Sequence, residues 1–200
     1  MRRNIVVAVA RVIVPCLMLL ACDPPKFSNP LSNPQTAKAD PRLVGIWNVV
    51  IDGKHGTLTV VPNAGATVDL VFVAGDGEKG AFVIGFNAFP TALDGKTYLN
   101  MRGKRWVGSD KTELDKEWLI VRYEVTRPRG DTTDTLALWI MQDDEIKAAI
   151  AAGRLRGKVE TKMAGDVHVT SDTSVVANFV KNANDAKLFR KYGGSFRRQR

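Results

Sequence analysis

Cysteine and histidine are scarce in this chain of 200 residues. Each occurs twice, as Cys16 and Cys22 and as His55 and His168. Gly-x-Ser-x-Gly, His-Glu-x-x-His and Cys-x-x-Cys are all absent, so no local motif supplies a nucleophile, a metal site or a redox pair. We therefore expect a non-catalytic protein without cofactor or metal. A hydrolase site assembled in space around His55 or His168 stays open as an alternative.

Long hydrophobic runs are also missing. The apolar run from Val12 to Ala21 has about ten residues, whereas a membrane-spanning helix needs about 20. Pro15 interrupts this run, and Arg2 and Arg3 precede it. The pattern predicts a secretory signal peptide over residues 1–21 that is removed from the mature chain.

The signal ends at Leu19-Leu20-Ala21-Cys22, which resembles a bacterial lipobox. The resemblance implies that the Cys22 thiol accepts a diacylglyceryl group, that cleavage frees its amine and that a further acyl chain follows. Several chains would anchor the protein stably, at about 0.8 kcal/mol per buried methylene. The expected location is the cell envelope, on the inner or the outer membrane, with the domain facing the periplasm or the exterior. Alternatively, Cys22 merely follows an ordinary cleavage site.

Cleavage before Cys22 would leave no second thiol, so we expect no disulfide and a fold stabilised by its core. Residues 22–41 contain five of the nine prolines and no glycine. This composition predicts a semi-stiff spacer, roughly 50 Å long when extended, between the anchor and a globular domain over residues 42–189.

Glycine does not occur before Gly45, and all seventeen glycines follow. They separate short apolar segments, which is typical of strands joined by turns. The predicted fold class is mainly β with two late helices, as an antiparallel sheet or barrel. Strands are predicted at 45–51, 56–61, 67–73, 81–87, 97–101, 117–126, 133–141, 158–163 and 166–170, and helices at 144–152 and from 171 or 172 to 180.

The clearest alternation of apolar and polar residues lies on either side of the turn at 127–131. Residues 119, 121, 123 and 125 share one face, as do residues 136, 138 and 140, so the two segments are predicted to form an antiparallel hairpin. In a barrel these residues would line the interior. We expect them to fill it, and the alternative is an apolar cavity that holds a lipid or small hydrophobe.

Gly45-Ile46-Trp47 resembles the Gly-x-Trp signature on the first strand of lipocalin-like barrels. The glycine would allow close backbone approach at the barrel end, and Trp47 would plug that end with a ring whose N–H needs an acceptor. The later Thr-Asp-Tyr-type motif of that superfamily is not found. The chain is also similar to small bacterial lipoproteins that share a Leu-x-Gly-x-Trp opening after a proline-rich tether.

The formal net charge is +8, and removal of the three signal arginines leaves +5. All of this excess lies in residues 190–200, because basic and acidic residues balance from 22 to 189. We predict a basic C-terminal tail, in which Arg197, Arg198 and Arg200 either contact anionic lipid or remain in solvent.

A neutral body and an exported address argue against nucleic acid as a partner. The sequence as a whole predicts a membrane-anchored lipoprotein, a non-catalytic binding or envelope-structural module. Its expected partners are the membrane and either a hydrophobic small ligand or an envelope protein.

Overall fold

The computed structural model describes residues 24–51, 54–75, 81–106, 116–160 and 166–199. The predicted signal peptide, Cys22 and Arg200 lie outside these ranges. The strands are β1 Lys26–Phe27, β2 Gly45–Ile51, β3 Lys54–Pro62, β4 Val68–Gly75, β5 Ala81–Leu93, β6 Lys96–Trp106, β7 Leu119–Thr126, β8 Thr135–Met141, β9 Gly157–Val159, β10 Val167–Val169, β11 Phe189–Lys191 and β12 Ser195–Arg198. The α-helices are α1 Asp143–Ala151, α2 Thr173–Asn182 and α3 Asp185–Leu188.

Eight antiparallel positions close a barrel within the described residues. Strands β2 to β8 pair in chain order, and β12 pairs with both β8 and β2 to complete the ring. Strand β11 pairs with the other end of β8, so β11 and β12 form the eighth position in two pieces. The predicted fold class, mainly β with late helices and a barrel, is confirmed.

Two local features of the sequence set the strand register. The predicted hairpin of β7 and β8 is present, with Tyr123 opposite Leu138. Strands β5 and β6 are joined by Asp94-Gly95, both of which have positive φ, the conformation of a two-residue turn that matches strand twist. Strand β5 continues to Leu93, beyond the predicted end at residue 87.

The described residues form two hydrophobic cores. The inner core fills the barrel and includes Trp47, Val49, Leu70, Tyr123 and Phe196. The outer core lies between the outer faces of β5 to β8 and a layer made of the helices and a three-stranded sheet. That sheet, called here the small sheet, has the order β1-β10-β9. The outer core includes Phe27, Phe89, Tyr98, Ile146 and Val176.

The interpretation of residues 22–41 as a detached spacer is wrong for the part that the structure describes. Strand β1 pairs with β10, and the backbone amides of Phe27 and Trp118 donate to each other's carbonyls at 2.9 and 2.7 Å. Phe27 is fully buried and Leu31 is 3% exposed. The prolines of this segment predicted a spacer, but its two buried side chains, Phe27 and Leu31, pack it onto the fold.

The predicted tail at 190–200 is likewise an integral part of the barrel up to residue 198. Strand β12 lies between β2 and β8, and Phe196 is 3% exposed in the inner core. The basic residues led to the prediction of a tail, although two buried phenylalanines, Phe189 and Phe196, lie among them.

The two predicted helices are present with small shifts. Asp143 is the first residue of α1 and pairs with Lys147 instead of capping the helix, and Gly153 follows the helix with φ 69°. Helix α2 begins after Asp172 as expected. The short helix α3 was not predicted, and its start is capped by the Asn184 side chain. The predicted strand at 158–163 is confined to β9, and residues 161–163 lie outside the described ranges.

Candidate functional site

Gly45 and Trp47 lie where the chain enters the barrel. The Trp47 ring is fully buried, and its Nε1–H donates to the Leu43 carbonyl at 2.9 Å. The Arg198 guanidinium covers the ring, 4.3 Å from its centroid. Gly45 has φ 136°, a conformation that favours glycine, and a Cβ there would lie 2.6 Å from Arg198 Nη1, so a larger residue would also displace the guanidinium.

Arg198 connects the C-terminal strand to the segment that leads into β2. Its guanidinium donates to the carbonyls of Arg42 and Val44 and forms an ion pair with Asp134 at 3.1 Å. With these partners and 26% exposure of its side chain, Arg198 is part of the fold, and its contact with anionic lipid stays a prediction. Arg197 is exposed on β12.

Within the described residues, an apolar cavity of about 70 Å³ lies inside the barrel. Ligand-binding pockets usually have roughly 300–1,000 Å³. The predicted inward residues Val121, Leu136, Leu138 and Ile140 line the cavity together with Tyr192. Side chains therefore fill most of the interior.

A larger cleft lies outside the barrel, between residues 32–42 and the hairpin of β5 and β6. This polar groove has a volume of about 560 Å³. Its lining combines hydroxyl and charged groups, including Ser32, Lys38, Asp40 and Thr97, with the apolar surface of alanine and proline residues.

Asp40 is the centre of the polar network in this groove. Its carboxylate accepts from Arg42 Nε and Nη2, both at 2.9 Å, and from the Tyr123 hydroxyl at 3.0 Å. Burial alone would raise the pKa of Asp40, but the bonds from Arg42 and Tyr123 outweigh it and lower the pKa below its usual value. Burial and the adjacent Asp40 charge raise the pKa of Tyr123, which stays a neutral donor.

Asn100 lies beneath the polar groove and connects the two segments that form it. It is fully buried, accepts from the Leu31 backbone N–H at 2.7 Å and donates to Thr91 Oγ1 at 2.8 Å. The Ser32 and Thr91 hydroxyls lie 2.6 Å apart. Because a buried amide must be satisfied, these contacts fix the N-terminal segment in one register.

A second, smaller cleft of about 320 Å³ adjoins the polar groove through Arg42 and Thr97. Asp185 forms ion pairs there with Lys96, at 3.1 Å, and with Arg122. Arg122 also stacks on Trp139, 4.1 Å from the ring centroid. These contacts join α3 to the barrel.

The two histidines lie far apart in the fold and do not form a common site. His55 is exposed on β3. His168 lies on β10, with Nδ1 2.7 Å from Glu117 Oε1 and Nε2 3.9 Å from Asp166 Oδ2. Lys26 bonds the same Asp166 oxygen at 3.2 Å. Among the described residues, the neighbours of the His168 ring nitrogens are therefore carboxylates and not a hydroxyl that could serve as a nucleophile.

The described residues hold no group of three or more His, Cys, Asp or Glu side chains placed to bind a metal ion. In the same ranges, every helix is too short or too polar to span a bilayer. Comparisons of the chain with protein-family models, curated proteins and solved structures give no match.

Sequence reasoning missed the polar groove. Asp40 and Arg42 fell at the border between the predicted spacer and domain. The signal that could have found the groove is Asn100, because an amide inside an apolar strand segment needs a buried partner.

Proposed function

We propose that this protein is a bacterial lipoprotein, acylated at Cys22, whose barrel domain is a non-catalytic binding module of the cell envelope. The observation that carries the proposal is the position of β1. The first strand begins at Lys26, so cleavage before Cys22 removes none of the described elements. The lipobox and the basic, apolar segment before it supply the chemistry for acylation.

The polar groove is the binding surface that the geometry favours. Its volume lies in the range of ligand sites, whereas the barrel cavity does not. Its floor is preorganised by Asn100, Thr91 and Tyr123, which bind protein groups and are buried. Such a site suits a polar ligand that bonds hydroxyl groups and the exposed Arg42 guanidinium.

A small-hydrophobe carrier is the second candidate, and the apolar lining of the barrel cavity favours it. At about 70 Å³ the cavity has room for a small apolar group only. An acyl chain would enter only if side chains such as Tyr192 and Phe196 moved away. NMR titration with a fragment set separates the candidates. Shifts at Ala92 and Thr97 support the polar groove, and shifts at Leu58 and Leu138 support the carrier.

The anchor is tested by expressing the full chain in a bacterial host and measuring the intact mass of the membrane-extracted protein. We expect a mass that begins at Cys22 and includes diacylglyceryl and acyl groups. Cys22→Ser should abolish acylation and release the protein from membranes. Cys16→Ser is the matched control, because it changes a thiol in the removed segment and should be acylated normally. An unmodified Cys22 in the wild type would overturn the proposal.

A further inference from the structure

We propose that the small sheet is the membrane-facing surface of this protein and lies against the bilayer that holds its anchor. The inference rests on the proposed acylation of Cys22. It concerns orientation, which acylation alone does not determine, because a long flexible tether would leave the domain free to tumble.

The tether is short. Three residues separate Cys22 from Lys26, and Lys26 is already paired with His168 on β10. Four residue steps span at most about 14 Å in an extended chain. Pro25 is buried and Pro24 is half-buried, so part of even this length is held against the protein. A spacer that began folding at residue 42 would reach several times farther.

The register of the small sheet identifies the residues nearest the anchor. Lys26, His168 and Lys158 form one row across its three strands, while Phe27 and Val169 face the outer core. Strand spacing places Lys158 about 10 Å from Lys26. Lys26 bonds Asp166 and the His168 ring lies 2.7 Å from Glu117, whereas Lys158 is exposed. Lys158 is therefore the exposed basic side chain that this row presents to the headgroups.

The opposite side of the barrel faces away from the bilayer. Phe27 forms its bridge with Trp118, immediately before β7. In the ring order β8-β12-β2-β3-β4-β5-β6-β7, strand β3 is four positions from β7. Val61 near the end of β3 is therefore about as far from the anchor as the barrel allows.

Lys158 and Val61 make the pair for the test, because both are exposed and both lie on strands, and Lys158 belongs to the row that faces the bilayer. The acylated mature chain has no free thiol, so Lys158→Cys and Val61→Cys each accept one fluorophore. Each acylated, labelled protein is reconstituted into phosphatidylethanolamine–phosphatidylglycerol vesicles that carry a nitroxide on the lipid headgroup. We expect the probe at 158 to be quenched several-fold more strongly than the probe at 61.

A longer tether supplies the control. A Gly/Ser insertion of about 15 residues between Asp23 and Pro24, with a coil length of roughly 20 Å, should remove the difference between the two probes. Equal quenching at 158 and 61 in acylated protein would overturn the orientation and leave the proposed anchor intact. A chain that mass spectrometry shows to lack acyl groups would overturn both.

Discussion

The outer faces of β5 to β8 and of β2 to β4 belong to the same barrel but have opposite surroundings. The first, the covered wall, presents Phe89, Tyr98, Ile120 and Met141 to the outer core. The second, the bare wall, presents β-branched residues to solvent, among them Ile46, Val50, Val61 and Val73 at 36–47% exposure.

The difference lies in the outward residues, because the inward residues of both walls are apolar and buried. Large aromatic side chains that face outward need a second layer, and the helices and small sheet supply it. Isolated valines on a strand surface need no cover. The covered wall is also where the N-terminal segment attaches, so the comparison links the packing of the barrel to the position of the anchor.

The largest effect is expected inside the barrel, which both walls share. Trp47→Ala removes a fully buried ring and leaves Arg198 without its stacking partner. We expect a loss of about 3–5 kcal/mol in the free energy of unfolding, measured by urea titration. A loss below about 1 kcal/mol would show that Trp47 does not support the barrel.

The covered wall is tested by Phe27→Ala. Phe27 is fully buried in the outer core, so its truncation should cost about 3 kcal/mol by the same titration. Amide exchange should increase most in β1 and β10. If residues 24–41 were a free spacer, the substitution would leave the unfolding free energy unchanged.

Gly45→Ala tests the close approach at the barrel entrance. Strain at φ 136° and the contact with Arg198 should together cost about 1–3 kcal/mol. Gly65→Ala is the matched control, because Gly65 also has positive φ but nothing lies within 4 Å of its added Cβ. Equal losses at both positions would mean that neither the more extreme φ of Gly45 nor the Arg198 contact adds to the cost.

Asp40→Asn tests the link between the N-terminal segment and the covered wall. A carboxylate whose pKa is lowered on folding adds stability above its usual pKa, about 3.9, and this stability is lost as the pH falls through the lower folded value. The wild type should therefore exceed the variant in unfolding free energy at about pH 6, and the gap should narrow toward about pH 3. A constant gap across this range would exclude the charge as its cause.

The smallest effect is expected on the bare wall. Val61→Thr exchanges one β-branched side chain for another at an exposed position, so the unfolding free energy should change by less than about 0.5 kcal/mol. A larger loss in urea titration would reveal that this wall is covered.

Periodicity predicted the strands and helices well because each element buries one face, as the β7–β8 hairpin illustrates. Composition gave wrong predictions at both ends of the domain. The prolines around Phe27 predicted a spacer and the arginines around Phe196 predicted a tail, but each phenylalanine packs against residues far away in the sequence. The polar groove was missed for the same reason, since the bond between Asp40 and Tyr123 joins residues 83 positions apart. Such pairings depend on the complete tertiary fold, which no local pattern encodes.

Amide hydrogen exchange at Phe27 and Ser28 tests most directly whether the fold begins beside the anchor. The two N–H groups donate to the carbonyls of Trp118 and Val169 at 2.9 and 2.8 Å. The account predicts that both amides exchange as slowly as those of β10, because they open only when the small sheet does. Exchange of both at the rate of an unstructured peptide would contradict it.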